Sequence, residues 1–444
     1  MQTLRPIEEL PVWHPYTAVP YEGPRALITR AQGAYVFEAS GRAIFDGTSS
    51  WWCNLHGHCH PDLVAALHRQ AQTLDQILFA PHAHPVALEF ASQLLSKMGD
   101  PFRKVFFSDD GSTSVEAAIK MALQYWVNTG HPERTQFLSL ELGYHGDTLG
   151  AVSVGHLDEF HRFFPPLLVT KKSRAPYCYR CPWDLQYPGC AVQCLDKARA
   201  ALLAHGKQIA ALVVEPLVLG AGGLITYPGE FLDSLIRLCR EQGVLVIFDE
   251  VFTGFGRTGS LFAFEQLQEK PDIVCLSKGL TSGMLALGAT VTTQAIMDAF
   301  VGSERRKFYH GHTFTANALA CAVALESLKL FERNGTLEKN RALSSFMAAQ
   351  SERFSQLPHV GNVRSLGMIW AMELVQDKAT KQAFTPANGP GWKICHAAWD
   401  KGVWLRPMGA TLYVIPPYCS TEEDLRHCFD VLYAETRREE NYAT

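Results

Sequence analysis

Short, nearly continuous apolar runs recur between residues 103 and 295, at 104–107, 136–140, 209–215, 244–248, 272–276 and 289–292. Helical patterns separate them. Strands that are apolar on both faces need both faces covered, so this alternation predicts a mostly parallel sheet between layers of helix, an α/β fold. In such sheets ligands bind outside the carboxyl ends of the strands. From Thr336 onward the pattern is a helix followed by a mixed α/β segment, in which "GVWLRP" and "LYVIPP" read as strands. The predicted organisation is a large domain at 61–330 and a smaller α/β domain at 331–444, with segment 1–60 contributing to the small domain and to the functional site.

Composition narrows the class without naming it. The chain has 444 residues, 47% hydrophobic and 19% charged, which suits a globular protein of more than one domain. A net charge of −4 offers no general attraction for nucleic acid or an anionic membrane. No apolar stretch approaches the length of a bilayer span, and residues 1–6 lack the apolar core of a signal peptide. The expected location is the cytoplasm, with the 12 cysteines as reduced thiols and small molecules as partners.

The segment "FDEVFTGFGRTG" contains the glycine spacing of a dinucleotide-binding turn, at Gly254, Gly256 and Gly259. That turn requires its first glycine directly after a strand. Here the apolar run ends instead in Asp249 and Glu250, so a nicotinamide or flavin dinucleotide is a poor fit. The residues after the other runs point elsewhere. Ser108–Thr113 opens a helical stretch with small and hydroxyl residues, a pattern suited to an anion and equally to a plain helix cap. Glu215 closes the run at 209–215, Tyr144 follows the run at 136–140, and Lys278 follows the run at 272–276. A phosphate cradle, a strand-end carboxylate and a strand-end lysine together match the needs of pyridoxal phosphate. Its aldehyde needs a lysine amine, its ring nitrogen needs a carboxylate that keeps it protonated, and its phosphate needs N–H donors. Tyr144 is a candidate to stack on the ring. A solvated surface lysine is the ordinary alternative for Lys278, and one closing an apolar strand between Ser277 and Gly279 fits it badly.

Over nearly its whole length the chain resembles the class-III aminotransferases, pyridoxal-phosphate enzymes of fold type I. The resemblance lies in "SDDGSTSVEAAIKMA", "GYHGDTLGA", "VVEPLVLGAGG", "FDEVFTGFGRTG", "DIVCLSKGL" and "HGHTFTANALAC". It implies a large domain built on a mostly parallel seven-stranded sheet. It also implies Lys278 as the lysine bonded to the cofactor, Asp249 as partner of the ring nitrogen and Tyr144 as the stacking ring. Gly111 and Ser112 match the phosphate loop. Thr313 matches a threonine that reaches the phosphate of the neighbouring subunit, implying a homodimer with shared active sites. Tyr16, Trp51 and Arg406 match substrate contacts, Gly311 a substrate-lining backbone position, and Arg257 is expected on a flexible turn near the substrate.

Four further segments are similar to the branch that aminates 8-amino-7-oxononanoate in biotin biosynthesis, with S-adenosylmethionine as the implied donor. They are "WHPYT", "DGTSSWWCNLHGHCHP", "MALQYW" and "GVWLRPMGATLYVIPPY". Trp51, Trp52 and Tyr16 suit a methylene chain, and Arg406 suits its carboxylate. A class-III enzyme for an ω-amino acid or diamine, or lysine as donor, stays open. Asp110 and His312 depart from the commonest family pattern. Cys178, Cys181, Cys190 and Cys194 have knuckle-like spacing but short, bulky spacers, and no metal is expected there or at His56, His58 and His60.

Overall fold

All six apolar runs are strands, and they lie in one seven-stranded sheet. Its members are β1 (Phe102–Ser108), β2 (Gln136–Leu140), β3 (Thr170–Ser173), β4 (Ile209–Val214), β5 (Leu245–Asp249), β6 (Ile273–Leu276) and β7 (Gly288–Thr293). The spatial order is β1-β7-β6-β5-β4-β2-β3. Strands β2 to β6 pair in parallel. Strand β7 runs antiparallel to both β6 and β1, which leaves β1 pointing the same way as the rest. The strand absent from the apolar pattern is β3, "TKKS", at the sheet edge. An edge strand has only one neighbour and tolerates charge, which also discourages edge-to-edge pairing. Lys172 within it is drawn inward to the carbonyl of Val154 at 2.7 Å, and burial pushes its amine down to about 8.

The structure describes residues 9–19, 21, 26–384 and 389–442, in two units. The sheet belongs to the unit Pro61–Arg341. Helix α1 (Gly111–Asn128) packs across it, with Val115, Ala118, Ile119, Ala122 and Trp126 at helical spacing meeting Phe137, Val213, Ile247 and Ile273. The tight entry into α1 depends on Gly288, where any Cβ would collide with the carbonyl oxygen of Asp110.

The second unit gathers the described parts of Met1–His60 and Ala342–Thr444. Strands Ile28–Gln32, Tyr35–Glu38 and Ala43–Asp46 form an antiparallel ribbon, and Val403–Trp404 adds to it in parallel. A second, antiparallel sheet contains Val360–Leu366, Ile369–Asp377, Thr411–Val414 and Pro407–Met408. Trp370 is the centre of this unit's packing. It is fully buried, meets Phe354 at 4.8 Å and Phe429 at 5.0 Å between ring centroids, and donates from Nε1 to Ser351. Trp370→Ala should therefore cost about 3–5 kcal/mol. Chemical unfolding of the variant checks this, and a loss below about 1 kcal/mol would mean that the cluster does not hold the unit together.

Candidate active site

Strands β1, β2, β4, β5 and β6 point the same way, so their carboxyl ends share one rim of the sheet. The residues that follow them are the strand-end group singled out from the sequence. Asp249 ends β5 and is only 5% exposed. Its Oδ2 accepts from His145 Nδ1 at 2.8 Å, and its Oδ1 accepts from the backbone N–H of Val251 at 3.1 Å. A buried carboxylate needs such donors. The histidine fixes the side chain's direction.

Lys278 follows β6 after Ser277 and has φ 37°, in the left-handed region that a lysine rarely adopts. Such strain at a rim residue persists only where the surroundings impose it. Ser277 anchors the approach by donating its hydroxyl to the carbonyl of Leu287 at 2.8 Å.

At the start of α1 the departure at Asp110 has a plain structural explanation. Asp110 is the N-cap: its carboxylate accepts from Thr113 N at 2.8 Å, while Thr113 Oγ1 accepts from Asp110 N at 3.0 Å. This capping box turns the acid onto the helix itself. The N–H groups of Gly111 and Ser112 remain in the first turn, where no preceding carbonyl of the helix can receive them. A Cβ on Gly111 would meet Val251 at 2.7 Å, and one on Gly146 would collide with the Ser112 hydroxyl. That hydroxyl accepts from Asp147 N at 3.0 Å, which ties the loop after β2 to the start of α1.

Tyr144 stacks on His161, with ring centroids 5.7 Å apart and planes at 15°. His161 is itself held at both nitrogens: Nδ1 accepts from Leu157 N at 3.1 Å, so Nε2 carries the hydrogen that reaches Asp147 at 3.1 Å. The backbone N–H of Tyr144 donates to Glu215 Oε2 at 3.0 Å, and Gly220 N donates to Glu215 Oε1 at 2.8 Å. Burial above all, and then the charge of Asp249, push Glu215 up to about 8; the two N–H donors and the charge of Lys278 oppose that rise. Neither His145 nor Glu215 was selected as a site residue from the sequence. A histidine inside "GYHG" and a glutamate at a strand end give no sign of what they touch. Glu250 lies beside Asp249 and has a different task. Its two oxygens accept from Ala263 N at 2.7 Å and Phe264 N at 2.9 Å, which folds the following loop back.

Lys278, Asp249, Tyr144, Gly111 and Ser112 thus belong to one rim of one unit. A lysine amine, a buried carboxylate with a fixed direction, a flat ring and two first-turn N–H groups are the set of groups that pyridoxal phosphate requires, and the residues fit it. The same unit holds Arg257, Gly311 and Thr313. The turn at 254–259 is closed, with Gly256 N bonded to Leu261 O at 3.1 Å and Gly259 N to Gly256 O at 3.2 Å. Arg257 is 1% exposed, so it is enclosed by the fold and not displayed on an open, flexible turn. Gly311 and Thr313 lie on an exposed loop, where Thr313 O accepts from Gln76 at 2.9 Å. The departure at His312 also has a local role, since its Nδ1 accepts from Phe314 N at 3.2 Å.

Tyr16, Trp51 and Arg406 come together in the other unit. Tyr16 meets Trp51 edge-on at 5.5 Å, and the Arg406 guanidinium lies 4.8 Å from the centre of the Trp51 ring. Tyr16 and Trp51 are 45% and 43% exposed. Trp52 does not join them. It is buried against Tyr413, at 5.9 Å, and its place is in the support of the cluster. Of the three histidines, His58 pairs with Asp46 and His56 lies against His60. Among the described residues, no three His, Cys, Asp or Glu side chains are grouped so as to hold a metal ion.

The description "Aminotransferase class-III" matches residues 16–434. The chain is 42% identical over 437 residues to the adenosylmethionine-8-amino-7-oxononanoate aminotransferase of Geobacter sulfurreducens, covering 97% of this chain and 96% of that one. It is also similar to the protein of that name from Methanocaldococcus jannaschii, whose crystal structure superposes with a TM-score of 0.89 at 35% identity, over 96% of each chain. An amine transaminase from an uncultivated Pseudomonas species, solved with pyridoxal phosphate bound, superposes with a TM-score of 0.91 at 34% identity, over 96% of this chain and 98% of that one.

The buried acid at the rim gives a test in pH. The folded chain keeps the proton of Glu215 up to about pH 8, whereas the unfolded chain releases it near the ordinary value of 4.5. Between these values the unfolded state binds fewer protons, so this group's contribution to stability falls as pH rises, by up to about 1.4 kcal/mol per pH unit. Glu215→Gln cannot ionise. Whatever its constant offset, the stability of the variant relative to the parent should move in the variant's favour from pH 5 to pH 8 in chemical unfolding. A difference that stays flat would mean that Glu215 ionises as an ordinary acid.

Proposed function

The chain belongs to the class-III aminotransferase family, and on that premise we propose that it transfers an amino group to the keto group of 8-amino-7-oxononanoate, giving 7,8-diaminononanoate for biotin biosynthesis. Its fold is type I of the pyridoxal-phosphate-dependent transferases, and its cofactor is pyridoxal phosphate. The observation that carries the substrate reading is the 42% identity, over almost the full length of both chains, to a relative named for that acceptor. The same name supports S-adenosylmethionine as the donor. The cluster of Tyr16, Trp51 and Arg406 supports it from the substrate side, because an apolar ring surface beside a guanidinium suits a methylene chain ending in a carboxylate. A second reading, amine or ω-amino acid transamination with another donor such as lysine, draws on the superposition with the Pseudomonas amine transaminase. The lower identity of that neighbour, 34%, ranks it second.

When bound, pyridoxal phosphate supplies an aldehyde that reacts with amines and a ring that draws electrons from the carbon losing its proton. The residues of this chain do the rest. The N–H groups of Gly111 and Ser112, at the positive end of α1, hold the phosphate. Asp249 Oδ1 or Oδ2, directed by His145, keeps the proton on the ring nitrogen. Tyr144, braced by His161, covers the ring's face. Lys278 Nζ acts as base and then as acid within each half-reaction, taking a proton from one carbon and delivering it by a 1,3-transfer, in the opposite sense in the second. It ends each half-reaction with the protons it began with. Arg406 holds the acceptor carboxylate, and Tyr16 and Trp51 exclude water along its chain. Gly311 lines the acceptor with backbone alone, and Arg257 acts from inside the fold as a fixed charge near the substrate. We assign Thr313, exposed on its loop, to the phosphate site of a second copy in a homodimer working in the cytoplasm.

Lys278→Ala should leave a folded protein that still takes up the cofactor and forms no 7,8-diaminononanoate. Turnover within about tenfold of the parent, a barrier change of only about 1.4 kcal/mol, would remove Lys278 from its role. Arg406→Ala should raise KM for the keto acid about ten- to a hundredfold, from the loss of a charge-assisted pair of about 1.5–3 kcal/mol. Rapid-mixing spectra of the separate half-reactions check this. If the amino form of the enzyme binds the keto acid as tightly in the variant as in the parent, Arg406 is not the carboxylate clamp.

A further inference from the structure

The turn that displays Trp51 is an improbable piece of backbone. Ser49, Ser50 and Trp52 have φ of 49°, 60° and 66°, three non-glycine residues in the left-handed region within four positions. Isolated L-residues populate that region sparsely, so the turn needs something outside itself to hold it. One side chain is placed to do so. Asp46, the last residue of strand Ala43–Asp46, is 0% exposed. Its Oδ1 accepts from Thr48 N at 3.2 Å and lies 3.1 Å from the Thr48 hydroxyl. Its Oδ2 accepts from Ser50 N at 2.6 Å and Ser50 Oγ at 3.1 Å, and His58 Nε2 stands 2.9 Å away as a further donor. His58 is anchored in turn by paired backbone hydrogen bonds with Gly33, at 2.8 and 3.1 Å.

This arrangement decides which tryptophan faces out. The left-handed residues send Trp52 inward against Tyr413 and leave Trp51 outside, against Tyr16 and Arg406. Arg406 depends on the same strand. Asp46 is in register with Trp404 in the parallel pair, and Gly47 N donates to Trp404 O at 3.1 Å. The carboxylate therefore holds the turn that carries the aromatic ring, while the segment leading to the guanidinium is held separately, by backbone pairing to the same strand.

We infer that Asp46, with His58 as one of its donors, is a positioning residue that holds Trp51 in line with Arg406 and Tyr16 and so sets the affinity for the acceptor. The inference rests on the reading of that cluster as the acceptor site. An amide is the sharp substitution, because Asp46→Asn keeps the size but replaces one acceptor oxygen by a donor group facing donors.

The test is a double-mutant cycle on the holoenzyme with 8-amino-7-oxononanoate: Asp46→Asn, Trp51→Ala and the pair, with visible cofactor absorbance and thermal midpoint recorded for each. Asp46→Asn should raise KM about tenfold while kcat at saturating keto acid stays within about threefold and the cofactor absorbance is unchanged. Added to Trp51→Ala, it should raise KM by less than about twofold more, since the ring through which it acts is gone. Multiplying effects in the double variant would overturn the inference, because Asp46 would then act independently of Trp51. So would a fall in kcat together with loss of cofactor absorbance, the mark of a general structural role. A raised KM in Trp51→Ala with an unchanged KM in Asp46→Asn overturns the positioning role alone. An unchanged KM in Trp51→Ala overturns the reading of the cluster and the inference with it. If Asp46→Asn gives no folded holoenzyme, His58→Phe removes a single donor from the same carboxylate and enters the same cycle, with an expected rise in KM of about threefold.

Discussion

Strands that run in parallel must end on the same edge of their sheet. In this protein β1, β2, β4, β5 and β6 all do so. The strands themselves are too buried to carry chemistry, since every residue of β4, β5 and β6 is enclosed. Polar function is confined to their last residues and to those immediately beyond, and all of these then stand on one rim. Lys278, Asp249, Glu215, Tyr144 and Ser112 come from distant parts of the chain, and the shared strand direction accounts for their meeting in one region.

Burying acids at such a rim creates a problem that the fold answers repeatedly in one way. Asp249, Glu215 and Glu250 all lie at or just after strand ends, and each accepts one or two backbone N–H groups from loops at the same rim. Burial raises Glu215 and Glu250 to about 8, so this crowding of carboxyls is relieved by keeping protons on them. Each acid also does mechanical work. Glu215 holds the backbone of Tyr144, Glu250 folds the loop toward Phe264, and Asp46 does the same for the Trp51 turn in the other unit. The loops of a class-III aminotransferase must be shaped closely around a cofactor and two different substrates. An acid side chain that accepts two backbone donors fixes a loop by directional bonds, which apolar packing does not supply.

Much of this was legible in the sequence, and the reason differs by feature. Apolar periodicity reports burial, so it marked six strands and the helices between them. It also put Asp249 and Lys278 directly after strands, because a charged residue closing an apolar run is visible without coordinates. Strings such as "DIVCLSKGL" and "FDEVFTGFGRTG" are modest signals singly, and in combination with the other segments they are specific for the aminotransferase class.

Periodicity says nothing of direction, partners or which of two adjacent side chains turns inward. The antiparallel course of β7 and the polar edge strand β3 came only with the sheet, since an edge strand need not be apolar. The glycine-rich turn around Arg257 reads as open, yet its hydrogen bonds close it and enclose the arginine, because glycine permits tight closure as readily as mobility. Asp110 looks like a misplaced charge beside a phosphate loop until the capping box shows the helix itself as its partner. Trp51 and Trp52 are equivalent as letters, and only the left-handed turn held by Asp46 makes one a surface ring and the other a core residue. The sequence by itself determined which runs are buried strands, where they end and which chemistry stands there. The tertiary structure alone decided what each polar group touches, because that depends on contacts between segments far apart in the chain, which no local pattern records.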